Sequence, residues 1–291
     1  MGPIGVIAAL ALIACGLLAG CAAAPPPVPP LPPGTVAASP ASAPGAVRTA
    51  DEGGAPGRPE ALLFLVHGIN DTPDDWPSKL IEELRDSSLA TERWRLAAYN
   101  WDSVTRLSFG AARDGYWIGR SIGRRLAAAE YRLLHLVGHS MGAHVIHGMA
   151  EGYRDAGGSA YVHMTFLDPF SPRGLLSWEH GFRHFGEGAD YAESYVVTDD
   201  DAWGTNGYLE HAHNYDISAL VPQEYRDERW AGAHWWVVRF YKKSVGKPGP
   251  GFGLSPLARG LPRPQQWNVR YSTPAVPHTP PPVPGAVTVL R

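Results

Sequence analysis

Cysteine is missing from everything beyond residue 21: the only two, Cys15 and Cys21, stand at the front of a 291-residue chain. The remainder can form no disulfide, no thiolate metal site and no cysteine nucleophile. Charge is sparse and nearly balanced, with 25 Lys and Arg against 28 Asp and Glu and a net of −3. No basic run or basic stripe interleaved with aromatics is present, so nucleic acid is not an expected partner. Proline is scarce in the middle: eleven of the 28 fall between residues 25 and 60 and eleven more after 246. The chain is 44% hydrophobic, which excludes disorder throughout. The span 61–245 is long enough for one sizeable core and too short for two large domains.

The first segment reads as an address. Residues 4–19 (IGVIAALALIACGLLA) form an uncharged apolar run with no Lys or Arg before it. It is too short to span a bilayer comfortably and ends in small residues, as a signal peptide does. It stops at Leu18-Ala19-Gly20-Cys21, which resembles the bacterial lipobox, in which the cysteine is acylated and becomes the new N-terminus. Leu12-Ile13-Ala14-Cys15 fits the same loose pattern but leaves too short an apolar region. The resemblance implies a signal peptide over 1–20, lipidation at Cys21, and a mature chain without a free thiol in the cell envelope. Ala22 follows the cysteine, and under Gram-negative sorting that implies the outer membrane. A plain secretory signal or a buried N-terminal helix is the alternative. Residues 21–60 are rich in Pro, then in Ala, Ser and Gly, and cannot bury a core, so they read as a tether. The Pro-rich tail 246–291 reads similarly, although Leu254, Leu257, Trp267 and Tyr271 offer apolar contacts.

Between these flanks, apolar runs alternate with helical patterns. Ala61–Val66 (ALLFLV) predicts a buried strand, and Asn70-Asp71-Thr72-Pro73 supplies cap residues and a helix-starting proline. Further strands are expected at Arg95–Trp101, Leu133–Val137, Tyr161–Leu167 and Glu193–Thr198, with helices at Ala111–Tyr131, Gly142–Tyr153 and Trp235–Tyr241. The alternation predicts an α/β fold with a mostly parallel sheet and helices on both faces. In such a fold ligands gather at the carboxyl ends of the strands.

The most specific feature is Leu133 to Gly142 (LLHLVGHSMG), an apolar strand running directly into Gly-x-Ser-x-Gly and then a helix. A serine on a tight strand-to-helix turn has strained backbone angles, and the residues two positions either side must be small. The turn lifts Ser140 Oγ above the sheet at a helix N-terminus, whose dipole favours developing negative charge. Gly138-His139-Ser140-Met141-Gly142-Ala143-His144-Val145 resembles the elbow of the pancreatic-lipase branch of the α/β-hydrolases, and Leu167-Asp168-Pro169 resembles that branch's acid motif. The resemblance covers about residues 61 to 241. It implies the α/β-hydrolase fold and a serine esterase or lipase, here without the cysteines common in secreted animal members.

A serine nucleophile needs a base and an acid to orient it, in the chain order Ser, acid, His. Asp168 ends a strand at the sheet's carboxyl edge and is the first choice of acid; Asp199, Asp200 and Asp201, ending the next strand, are its rivals. Among His180, His184, His211, His213, His234 and His278, the preferred base is His234, in Gly232-Ala233-His234-Trp235-Trp236, a flexible loop opening an amphipathic helix. His213 and His211 come next. Trp235, Trp236, Phe240 and Tyr241 read as core. His67-Gly68-Ile69 ends the first strand so that backbone N–H groups face the site, which makes the Ile69 and Met141 amides the expected oxyanion hole and His67 a loop brace. His211 and His213 with Asp216 have one element of metal spacing but read as loop histidines; no metal and no cofactor is expected. Residues 171–210 carry Leu175, Leu176, Trp178, Phe182, Phe185, Trp203 and Tyr208, which suit either an acyl pocket or packing beneath a long loop. The expectation is a lipid-anchored serine hydrolase of small-molecule or lipid esters. Thioesterase, amidase and acyltransferase activities, and a non-catalytic envelope binding lipoprotein, are the alternatives.

Overall fold

A run of six buried residues places side chains on both faces of a sheet, and strand β2 (Ala61–Val66) shows the consequence. Leu62, Phe64 and Val66 enter one core cluster while Ala61, Leu63 and Leu65 enter the other, as period-two geometry requires. In the computed structural model, residues 47–49, 60–87, 89, 93–101, 108–174, 176–200, 202–228, 232–255 and 287–289 are described. Cys21, the apolar run before it, Leu175, Asp201, Leu257, Trp267, Tyr271 and His278 lie outside them.

The remaining strands are β1 (Val47–Thr49), β3 (Trp94–Tyr99), β4 (Leu133–His139), β5 (Tyr161–Leu167), β6 (Tyr191–Val196), β7 (His213–Asp216) and β8 (Val287–Val289). They form one sheet in the order β1-β3-β2-β4-β5-β6-β7-β8. Every neighbouring pair is parallel except β1 with β3. Helices α2 (Ser108–Leu126) and α3 (Gly142–Asp155) cover one face; α1 (Pro77–Asp86), α6 (Gly232–Lys243) and a 3-10 turn at Phe252–Leu254 cover the other. Two short helices, α4 (His180–His184) and α5 (Gln223–Asp227), sit in the connections. This is an α/β architecture, a mostly parallel sheet with helices on both faces. The register sets Val66 opposite Gly138 and His139 opposite Leu167, so the carboxyl ends of β2, β4 and β5 finish level.

Several boundaries differ from the pattern-based ones. The first helix begins at Pro77, not near Pro73, because Asp75 Oδ2 takes the Thr72 N–H and hydroxyl and folds 72–75 into a turn. Gly232 to Trp235 belong to the first turn of α6 rather than to a loop, so His234 stands on a helix. The sheet also draws on strands outside the 61–245 span: β1 comes from the tether and β8 from the tail. Three-residue strands carry too little periodicity to read beside so many prolines.

Candidate active site

The nucleophile turn follows from its glycines. A Cβ on Gly138 would stand 2.7 Å from Gly142 O, and one on Gly142 would stand 2.6 Å from His67 O. Strand β4 and helix α3 therefore close to a distance that only glycine permits. Between them Ser140 takes φ +51°, a left-handed conformation that costs a non-glycine residue of order 1 kcal/mol or more. Its N–H donates to Leu167 O at 3.0 Å, and its carbonyl accepts from the Phe170 and Ala143 N–H groups, both at 3.1 Å. These bonds tie the turn to the end of β5.

Asp168 begins at that same end. It is completely buried, at φ +43°, with its N–H on Tyr195 O at 2.8 Å. Oδ1 accepts the Val197 N–H at 3.1 Å, and Oδ2 accepts from His234 Nδ1 at 2.5 Å. Burial alone would lower the His234 pKa; the Asp168 hydrogen bond and charge, aided by Asp200 and Asp71, raise it above the ordinary 6.5. The His234 ring lies 4.5 Å from that of His139, the residue immediately before the serine. Burial and the nearby His234 keep His139 neutral by lowering its pKa. The bond to Asp168 occupies Nδ1 and leaves Nε2 as the atom available for proton transfer.

The third wall is the bend after β2. A Cβ on Gly68 would lie 3.1 Å from Ser140 Cβ, so this backbone passes directly over the serine. His67 accepts the Trp101 N–H on Nε2 at 3.3 Å, and its Nδ1–H donates to Gly68 O at 2.7 Å. The Trp101 indole N–H in turn donates to His67 O at 2.9 Å. His67 is thus a brace for the bend that carries the Ile69 amide. Met141 caps α3 at φ −64° and ψ −24°, where helix geometry leaves the first amides without intrahelical acceptors.

The described rival residues go elsewhere, with one exception. Asp199 pairs with Arg226 at 3.0 Å on the surface, and His211 pairs with Glu187 at 3.3 Å. His213 stands in β7 against the Tyr215 ring, and Asp216 takes the hydroxyls of Ser218 and Tyr208. His180 and His184 lie on α4, and His180 packs its ring against His144 and His147 of α3. The exception is Asp200, which has a carboxylate oxygen within 4.8 Å of both Asp168 and His234 ligand atoms. The segment 171–210 divides: Phe185 is fully buried, while Leu176, Trp178, Trp203 and Tyr208 are exposed. Trp178 and Trp203 stack at 5.2 Å beside Phe170. Trp236 and Tyr241 are buried core, with Trp235 and Phe240 partly buried against it.

Sequence reasoning passed over a second cluster. His135, His163 and Glu193 stand side by side on β4, β5 and β6, all with zero exposure. Thr165 joins them, through a 2.9 Å contact to His135 and a 2.8 Å hydrogen bond to Glu193. Their donor atoms lie within 4.8 Å of one another. The two imidazoles, however, stack at 4.1 Å and 17°, so their in-plane lone pairs run in separate planes rather than converging on one ion. The cluster serves the sheet as a hydrogen-bonded polar core. Its only sequence signal was polar residues inside otherwise apolar strands.

No family model and no curated protein matches the chain. Eleven chains among solved structures do. One is YbtT, a type II thioesterase from the yersiniabactin NRPS/PKS biosynthetic pathway, at 12% identity, covering 66% of this chain and 92% of that one, with a TM-score of 0.35.

Proposed function

We propose that this chain is a serine hydrolase that cleaves carboxylic esters through an acyl-enzyme. The observation that carries this is the His234–Asp168 hydrogen bond at the sheet edge where Ser140 sits in a left-handed turn. In the proposed cycle His234 Nε2 takes the Ser140 proton as Oγ attacks the carbonyl carbon. Asp168 holds the imidazole in the required tautomer and balances its charge. The Ile69 and Met141 amides bind the oxyanion. The alcohol leaves with the proton from His234, and water, deprotonated by the same base, releases the acid. The same machinery opens thioesters and amides.

The experiment is fluorophosphonate labelling of the full-length chain and of Ser140→Ala, followed by p-nitrophenyl esters of increasing acyl length, with and without detergent. Labelling and turnover confined to the wild type support the proposal. A folded wild type that resists the probe and cleaves no ester, thioester or amide under either condition favours a binding protein on a hydrolase scaffold.

We also propose that the enzyme is held in the cell envelope by acylation of Cys21, on the strength of Leu18-Ala19-Gly20-Cys21 and the Pro-rich stretch after it. Among the described residues no helix is long and apolar enough to cross a membrane. Cys21→Ser is expected to move the protein out of the membrane fraction or leave it as precursor. Mature protein that stays with membranes without an acyl group detectable by mass spectrometry ends the lipoprotein proposal.

A further inference from the structure

Asp168 directly follows β5 and Asp200 lies four residues past the end of β6, the neighbouring parallel strand. The topology therefore brings both carboxyl groups to one point of the sheet edge, where they and His234 have ligand atoms within 4.8 Å of one another. Their surroundings differ. Asp168 has both oxygens satisfied, by Val197 N–H and by His234. Asp200 Oδ1 accepts the Ala202 N–H at 3.0 Å, whereas Oδ2 is buried and meets no hydrogen-bond partner among the described residues. A buried carboxylate oxygen without a donor is costly unless it holds a proton or faces a positive charge. Two adjacent carboxyl groups also cannot both ionise cheaply. The charge that can answer Asp200 is the imidazolium formed when His234 takes the serine proton.

We propose that Asp200 is a second acid of the site, a positioning residue that acts on Ser140 through His234 beside Asp168. This rests on the serine-hydrolase function proposed above. Among the described residues, the titratable groups around the pair are Asp168 just after β5, His234 from α6, His139 from β4 and Asp71 from the bend after β2. Asp199 turns away to Arg226. Burial and the charge of Asp168 hold the Asp200 pKa up at about 7. Asp200 is thus a neutral acid below that pH and a second negative charge above it. In the ionised form it stabilises the imidazolium, and without Asp168 it is the remaining carboxylate against the base.

The test measures kcat/KM against pH, with an ester substrate, for full-length wild type, Asp200→Asn, Asp168→Asn and the double variant, and fluorophosphonate labelling rates alongside. Asp200→Asn is expected to move the acid limb about half a pH unit lower, because His234 loses one of the charges that raise its pKa. It should cost about threefold at pH 8 in the wild type and about tenfold or more in the Asp168→Asn background, a non-additivity expected of groups sharing one partner. An acid limb that stays in place, or an equal cost in both backgrounds, overturns the role of Asp200. If Asp200→Asn melts within the assay range, Asp200→Ser is judged on the same two readings. Where wild type is labelled at Ser140 and these criteria fail, Asp200 alone is refuted. Where wild type is neither labelled nor active, the serine-hydrolase function falls, and the role of Asp200 with it.

Discussion

Ser140 is held at φ +51° by a turn that fixes its backbone at both the N–H and the carbonyl, so its conformation is set by its neighbours rather than by its own side chain. Ser140→Ala should therefore abolish ester turnover while leaving the melting temperature nearly unchanged. Ser140→Gly should be equally inactive yet more stable by about 1 kcal/mol, since glycine adopts positive φ without strain. Calorimetry showing Ser140→Gly less stable than wild type contradicts that account. Asp168→Asn and His234→Ala should each lower kcat by on the order of 10³ to 10⁴, because triad members act as a unit; Asp199→Asn and His213→Ala should cost far less. The base acts only when neutral, and the His234 pKa is raised above 6.5, so kcat/KM should climb with pH through a midpoint above that value. A midpoint below 6.5 means that the Asp168 bond does not govern the base. Ser140 was legible because Gly-x-Ser-x-Gly between a strand and a helix leaves few alternatives. Asp168 and His234 were legible only as preferences among rivals, since sequence does not say which strand ends converge. The proximity of Asp200 to them had no sequence signal beyond its place in a run of three aspartates.

At the scale of elements, the serine's position depends on how closely α3 packs against α2. An ideal Cβ on Gly119 would stand 1.9 Å from Val145 O, and one on Gly148 would stand 2.1 Å from Tyr116 O. The two helices thus approach backbone to backbone. Alanine improves helix propensity by about 1 kcal/mol over glycine, but here it forces the helices apart, and overpacking typically costs about 1 to 3 kcal/mol. Packing should win: Gly119→Ala and Gly148→Ala are each expected to lower the urea midpoint, and to weaken activity as α3 carries the serine turn with it. A raised midpoint for either variant shows that the helices move apart freely. Strands β2 and β5 were read from sequence to the residue: β2 is a fully apolar run bounded by turn residues, and β5, although it carries His163 and Thr165, is closed off by Asp168-Pro169. The glycine contacts between helices were not, since glycine within a helical pattern looks the same whether it faces solvent or a neighbour. The onset of α1 was misplaced because Pro73 and Pro77 both meet the rule for a helix start, and only the Asp75–Thr72 turn decides between them.

Taken as a whole, the molecule buries an unusual set of histidines without charging them. His135 and His144 are held well below 6.5, chiefly by burial and then by neighbouring histidines, and His147 falls to about 3 for the same reasons. His135 lies within the sheet, apart from His144 and His147 on α3, so its effect should add to theirs, whereas His144 and His147 share the neighbour His180 and act as a coupled pair. Each has a folded-state pKa below its unfolded one, so between the two values the unfolded chain binds the extra proton. Stability must then rise with pH across that window and be lost as pH falls from about 7 toward 4, by up to about 1.4 kcal/mol per pH unit for each such histidine. His234 works in the opposite sense: its raised pKa adds stability that is present below 6.5 and lost as pH rises through the folded value. His139 and His180 are depressed as well, so five lowered histidines stand against the raised His234 and Asp200 and set the net sign. Urea unfolding of the full-length chain between pH 7 and pH 5 should show a midpoint that falls steadily as the pH is lowered. His147→Gln, which removes one of the protonating groups while keeping a side chain of similar reach, should flatten that slope even if it lowers stability at pH 7. A wild-type midpoint independent of pH over this range is incompatible with neutral buried histidines, and an unchanged slope in His147→Gln removes that residue from the account.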